Sequence, residues 1–130
     1  MFDRPEIMRL AQDMASHASQ RQEQIAQNVA NADTPGYRAR DLVGFAEYYS
    51  NFAASSDMRA TRSGHSTEPA FGVQNPTVLD MRTEPSPNGN SVSLETEMIK
   101  QAETRHDHDM ALAVYKNSLD LLRTVIGRGR

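Results

Sequence analysis

A helix-forming run in this chain is brought to a forced stop, and that stop limits what the rest can do. Ala26-Gln27-Asn28-Val29-Ala30 has helical composition, whereas Asn31-Ala32-Asp33-Thr34-Pro35-Gly36-Tyr37 cannot continue it. Thr34 precedes a proline, which pushes its backbone out of the α region toward extended geometry. Pro35 presets the φ wanted at the second position of a turn, and Gly36 can take the positive φ that a type II turn requires third. Asn31 and Asp33 tolerate the left-handed conformation and bond to their own backbone, so the helix can end cleanly just before. The stretch predicts a long helix, a sharp bend and an aromatic anchor at Tyr37.

The start of that helix is equally marked. Asp3 as N-cap with Glu6 three residues later forms a capping box, Pro5 sits in the tolerant first turn, and Phe2 and Ile7 occupy the two staple positions. Apolar or small residues recur at Ile7, Leu10, Ala11, Met14, Ala18, Ile25 and Val29 at near-helical spacing, interrupted by Arg21 and Gln22. The predicted helix covers residues 4–32, roughly 40 Å. Its narrow, alanine-rich seam suits packing against a second helix and makes a poor core alone.

A second long helix is expected from Ser93, a good N-cap, to Gly127, a natural residue to follow a last turn. Glu95 and Glu97 favour its N-terminal dipole end. One seam at 3–4 spacing reads Leu94, Met98, Gln101, Arg105, His108, Leu112, Tyr115, Leu119, Leu122 and Ile126. A second stripe, Ala111, Val114, Ser118, Leu121 and Val125, lies beside it. Over the last four turns more than half the circumference is apolar, which one partner helix cannot cover. The candidate contact residues for an assembly are therefore Ile7, Met14, Ile25 and Val29 on the first helix. On the second they are Leu112, Val114, Tyr115, Leu119, Leu121, Leu122, Val125 and Ile126.

Between the helices the character changes. Phe45, Tyr48, Tyr49 and Phe52 share the i, i+3, i+4, i+7 face of a short helix, read as a patch packing on the long helices or docking a neighbour. Residues 54–90 hold Pro69, Pro76, Pro85 and Pro87 with Gly64, Gly72 and Gly89, and no period survives there, which predicts an irregular or disordered segment. Within it, Val78-Leu79-Asp80-Met81 has the composition of one short strand or extended contact, and Pro87-Asn88-Gly89-Asn90 signals a turn. The division expected is 1–37 for the first helix and turn, 38–91 for the irregular segment and 92–130 for the second helix. The two helices form one structural domain.

Composition removes several function classes. The chain has 130 residues, only 38% of them hydrophobic, and a mean hydropathy of −0.66, so it holds one domain with little apolar surface of its own to bury. A formal charge of −3 gives no basic field for nucleic acid. With no cysteine there are no disulfides or thiolate metal sites. No apolar run is long enough to span a membrane, and the N-terminus has no cleavable-signal pattern. His106-Asp107-His108-Asp109 is the one cluster that suggests a metal. Residues two apart on a helix point about 200° away from each other, so His106 and His108 cannot share an ion. No nucleophile elbow, phosphate loop or dinucleotide glycine pattern appears, so neither an enzyme nor a cofactor is expected.

Asn28-Val29-Ala30-Asn31-Ala32-Asp33-Thr34-Pro35-Gly36-Tyr37-Arg38-Ala39-Arg40-Asp41 resembles the N-terminal signature of the bacterial flagellar rod and hook family of axial proteins. Within it the run is most similar to the proximal rod proteins of the basal body. Val92-Ser93-Leu94-Glu95-Thr96-Glu97-Met98 looks like the start of that family's C-terminal helix, with Ser93 in place of an acidic cap. Arg105-His106-Asp107-His108 departs from it. The resemblance implies a mainly α fold, with the two terminal helices packed as an antiparallel, coiled-coil-like pair. It implies a structural subunit of the rod that self-associates through those helices. It also implies contacts with other rod proteins, the rod-to-ring adaptor, membrane-ring proteins and the flagellar export apparatus. The implied site is the periplasm-spanning rod, reached without a cleaved signal peptide. The competing class is a small helical adaptor or secretion chaperone that binds one partner through its C-terminal helix and has no need of the Thr34–Tyr37 turn.

Overall fold

In the computed structural model, residues 6–55, 77–81 and 84–127 are described. They form α1 (Glu6–Ala30), β1 (Arg40–Leu42), α2 (Phe45–Ser55), β2 (Val78–Asp80) and α3 (Leu94–Gly127). The expected cap at Asp3, with Phe2 and Pro5, lies outside the described residues, as does most of the segment between Ala54 and Asn90. The first helix stops at Ala30, two residues short of the predicted end, because the turn already draws on the carbonyls of its last residues. The second begins as its composition demands: Ser93 Oγ accepts the Thr96 N–H at 3.4 Å and Ser93 O accepts the Glu97 N–H at 3.0 Å.

The two long helices pack on one another. They run antiparallel, since Asn28 near the end of α1 bonds to Glu97 at the start of α3, while mid-helix His17 feels the charge of Asp107. Buried positions recur every seven residues, at Ala11, Ala18 and Ile25 on one helix and Glu97, Thr104, Ala111 and Ser118 on the other. A seven-residue repeat is the period of coiled-coil packing, and the small side chains at most of these positions permit close approach.

Over its first half α3 does not turn the Leu94–Met98 seam toward α1, whereas further along Ala111 and Ser118 of the second stripe are buried as the sequence suggests. Leu94, Met98, Leu112 and Ile126 are exposed, and Glu97, Lys100, Thr104, Ala111 and Ser118 are buried instead. A polar stripe faces inward because its charges find partners there, supplied by α1 and by the strand that follows the turn. Hydrophobic periodicity carries no trace of such pairing.

As far as it is described, the segment between the long helices holds α2 and two short strands. Val78–Asp80 is a strand, as its residues suggest. Its partner β1 had no sequence signal. The two pair antiparallel with Arg40 opposite Asp80, Asp41 opposite Leu79 and Leu42 opposite Val78. Flanking bonds from Val43 N to Thr77 O (3.1 Å) and Met81 N to Ala39 O (2.9 Å) extend the ladder. Two strands are marginal alone. This ribbon persists because Ala39, Asp41, Leu42 and Val43 are buried.

The predicted aromatic helix is α2. Its first face leans on α1 at His17, whose ring lies 5.6 Å from that of Phe45 and 5.9 Å from that of Tyr48. Phe45 and Tyr49 rings lie 5.9 Å apart. The side chain of Phe52 lies outside the described residues.

Candidate functional site

The functional geometry gathers at one end of the helix pair, where α1 stops and α3 starts. Thr34-Pro35-Gly36-Tyr37 is a closed turn, with the Tyr37 N–H donating to Thr34 O at 3.3 Å and Gly36 at φ +72°. Asn31 helps end the helix by donating Nδ2 to Gln27 O at 2.8 Å, and its Oδ1 accepts the Thr34 hydroxyl at 3.2 Å. Asp33, Thr34, Pro35 and Gly36 are exposed, so the outer face of the turn is open to a neighbour.

A second turn closes on the first. Gly89 also has positive φ, +80°, and its Cα faces Gly36 so closely that an added Cβ would stand 3.4 Å from the Gly36 Cα. The Gly36 N–H donates to Asn88 O at 3.1 Å. Asn90 then reaches under the end of α1, with Nδ2 within 2.7–2.9 Å of the carbonyls of Asn31, Ala32 and Thr34. One side chain from the far side of the sequence thus gathers three carbonyls of the turn that follows the helix. Ser91 adds two ties, accepting the Ala39 N–H at Oγ (2.9 Å) and donating its own N–H to Tyr37 O (3.0 Å).

Beneath the turns lies Asn28, with 0% of its surface exposed. Its Nδ2 donates to Arg40 O at 2.6 Å and to Glu97 Oε2 at 3.0 Å. Its Oδ1 accepts from Arg40 N at 3.1 Å, the Tyr37 hydroxyl at 3.3 Å and Gln24 Nε2 at 3.4 Å. The carboxamide pairs with both backbone groups of Arg40 as a neighbouring strand residue would. Tyr37 is therefore an anchor, as its position in the turn implies, and the group it anchors to is Asn28. The sequence gives Asn28 no distinguishing mark beyond its place in the signature.

Beside Asn28 the buried charges balance. Arg21 grips Asp41 with two bonds, Nε to Oδ1 at 3.0 Å and Nη2 to Oδ2 at 3.2 Å. Lys100 bridges Asp41 Oδ2 (3.4 Å) and Glu97 Oε1 (2.9 Å). Two cations and two carboxylates alternate, and Asp41 also accepts the Leu42 N–H at 2.8 Å. Burial by itself would raise the Asp41 pKa; the Arg21 fork, the charges of Arg21 and Lys100 and the Leu42 N–H outweigh it and hold the carboxyl below its ordinary value. Arg21 and Gln22, which look like interruptions in the first apolar stripe, differ in fate: Arg21 is a partner in this network, and Gln22 is exposed.

His17 sits further along α1, buried, with Nε2 2.8 Å from Val43 O. Burial lowers its pKa. The Val43 bond and the carboxylates of Asp107 and Asp41 act the other way, and Arg21 adds to the lowering. The His106–Asp109 stretch carries His106 exposed and His108 half-buried. Among the described residues no three His, Asp or Glu side chains gather to hold an ion.

The candidate contact residues divide. Ile25 is buried inside the chain's own seam, which corrects its reading as a surface for neighbours. Met14, Val114, Tyr115, Leu119 and Leu122 are half-buried. Ile7, Val29 and Leu112 are exposed, and Leu121, Val125 and Ile126 are 68%, 72% and 76% exposed. The last three form an apolar tip at the end of α3 remote from the junction.

Comparison with known proteins bears on the whole arrangement. The family model described as flagella basal body rod protein matches residues 8–38, which spans most of α1 and the whole turn. The flagellar basal body rod protein FlgB of Salmonella typhimurium (strain LT2) is 32% identical, with 99% of each chain covered. FlgB of Escherichia coli (strain K12) is 32% identical over 94% of each chain, and FlgB of Agrobacterium fabrum (strain C58) 30% identical over 86% of each. With the helix–turn signature and nearly the full length shared, the chain belongs to the flagellar basal body rod protein family, among its FlgB-like members.

Proposed function

We propose that this rod subunit is built into the basal body through the exposed faces of its terminal helices, with the junction of turns holding those helices in the shape that neighbours recognise. The observation that carries the reading is the apolar tip of Leu121, Val125 and Ile126, exposed at the end of α3 remote from the junction. A patch of that kind marks an interaction surface. The partners are other copies and other rod proteins, the rod-to-ring adaptor, the membrane rings and the export apparatus. On this reading the subunit is exported without a cleaved signal peptide into the periplasm-spanning rod, and its role is mechanical, with no catalysis. The relatives' names favour the rod over a free-standing adaptor, which would have little use for the Thr34–Tyr37 turn.

Leu121→Asp tests it. An exposed position tolerates the change within roughly 0.5 kcal/mol, so the purified variant should melt with wild type. Burying a leucine against a neighbour contributes on the order of 1.5–3 kcal/mol. The variant should therefore be soluble yet absent from isolated basal bodies, and cells should not swim. Normal motility, or a monomer strongly destabilised by the change, contradicts the proposal.

A further inference from the structure

We infer that Glu97 and Lys100, together with Asn90, determine the register in which α1 and α3 pair. The inference concerns the folded subunit alone and stands whether or not the tip residues make the contacts proposed above.

The seam itself is a poor ruler. Among the buried positions, 97, 104, 111 and 118 on α3 and 11, 18 and 25 on α1 are each spaced by seven, with Lys100 on α3 and Met8, His17 and Asn28 on α1 buried beside them. Sliding α3 by one heptad, about 10 Å, brings buried positions onto buried positions again. Away from the junction a slide toward the turn puts Ala111 at the Thr104 place and Ser118 at the Ala111 place, small side chain for small, near the equally small Ala11 and Ala18. Thr104 Oγ1 is buried without a hydrogen-bond partner, so the Thr104 side chain itself fixes no alignment at that level. Helices with such a seam pair well in more than one alignment, unless a feature elsewhere forbids it.

The junction supplies that feature. In the observed alignment Glu97 meets Asn28 Nδ2 at 3.0 Å, and Lys100 lies 2.9 Å from Glu97 and 3.4 Å from Asp41. A slide that carries α3 toward the turn puts Thr104 and Asp107 where Glu97 and Lys100 stood. Asp107 then confronts Asp41, and Asn28 loses its carboxylate. The opposite slide brings in Asn90 and Ser93, which carry no charge, and leaves Asp41 with Arg21 alone. Asp41 and Arg40 are fixed to α1 through Arg21 and Asn28, so they cannot follow α3 in either direction. An unpaired buried charge is a heavy penalty, and a single polar position that fixes helix register is the best-attested use of such groups. Asn90, clasped to three carbonyls of the turn just past α1, restrains the same motion through the loop that leads into α3.

The absence of cysteine makes the test clean, because two introduced thiols can carry spin labels specifically. Labels at Glu23→Cys and Asn117→Cys, both exposed sites, report the axial offset of the helices by pulsed dipolar spectroscopy on the full chain. Wild type should give one distance. Asn90→Ala with Glu97→Leu and Lys100→Leu should add a second population displaced by roughly 10 Å. A permuted variant guards against simple misfolding. Glu97→Thr, Lys100→Asp, Thr104→Glu and Asp107→Lys on the Asn90→Ala background keep the same side chains and move the key by one heptad. It should fold and give a single, displaced distance. A single unshifted distance in both variants overturns the inference, as does loss of helix pairing in the permuted chain, where every buried charge would still have a partner. Motility is not part of the readout, so failure here is separable from failure of the tip contacts.

Discussion

Asn28→Asp exchanges one NH2 for an oxygen and changes almost no volume, yet it should be among the most damaging single substitutions in the chain. At neutral pH the new carboxylate replaces the donor that now sits 2.6 Å from Arg40 O and 3.0 Å from Glu97 Oε2. Two favourable contacts become two repulsive ones. Like charges about 3 Å apart cost about 5 kcal/mol at an effective dielectric near 20, and each buried group left without its partner costs roughly 1–3 kcal/mol. Lys100, already beside Glu97, offsets part of this, so a net loss of at least about 3 kcal/mol is expected against a total stability of roughly 5–15 kcal/mol. The loss should depend on pH. A buried carboxyl facing another carboxylate has its folded-state pKa raised above the unfolded value near 3.9. Its penalty is therefore absent below that unfolded value and grows as pH rises toward the folded one. Urea denaturation followed by helical circular dichroism should show the smallest deficit of Asn28→Asp near pH 4, where its protonated carboxyl still donates once in place of the amide's two donors, and a far larger one at pH 7.5. A loss under 1 kcal/mol at pH 7.5, or a deficit that does not change with pH, would refute the hub role of Asn28.

Other substitutions probe the remaining parts of the junction. Gly36→Val should cost about 1–3 kcal/mol through its φ of +72° alone, because an added Cβ meets nothing within 4 Å; rod assembly should fail while monomer helicity barely changes, and assembled, motile cells would contradict this. Gly89→Val should be worse than Gly36→Val, since at φ of +80° its Cβ already touches the Gly36 Cα at 3.4 Å and the γ-methyls add bulk beyond that contact, and equal melting temperatures would remove the back-to-back contact from the account. Wild-type stability should fall in two acid steps. His17 has a lowered folded pKa, so its contribution is complete above the ordinary value of 6.5 and declines as pH falls from there toward the folded value. Asp41 is likewise lowered, so its contribution holds above 3.8 and is lost as pH falls through the folded value beneath. In His17→Gln the upper step should vanish and the lower one remain, as read from denaturation midpoints across pH 3–8.

The local features of this fold were legible from residue order alone. The turn at Thr34–Tyr37, the positive φ of Gly36, the Ser93 cap and the aromatic helix at Phe45 all follow from rules that act within a few residues of each other. The end of the first helix and both ends of the second could be bounded to within about two residues for the same reason. What holds the pieces together was not legible. Asn28 meets Glu97 across 69 positions, Asn90 meets Asn31, Ala32 and Thr34 across 56 to 59, and Ala39 meets Ser91 across 52. No periodicity encodes such pairs. The face of α3 turned inward shows the same limit most plainly. Judged by hydropathy, Leu94, Met98 and Leu112 belong inside and Glu97 and Lys100 outside. The tertiary structure reverses the order, because a charge is buried wherever its counter-charge already waits, and Asp41 reaches that place only after the chain has turned back on itself at Gly36.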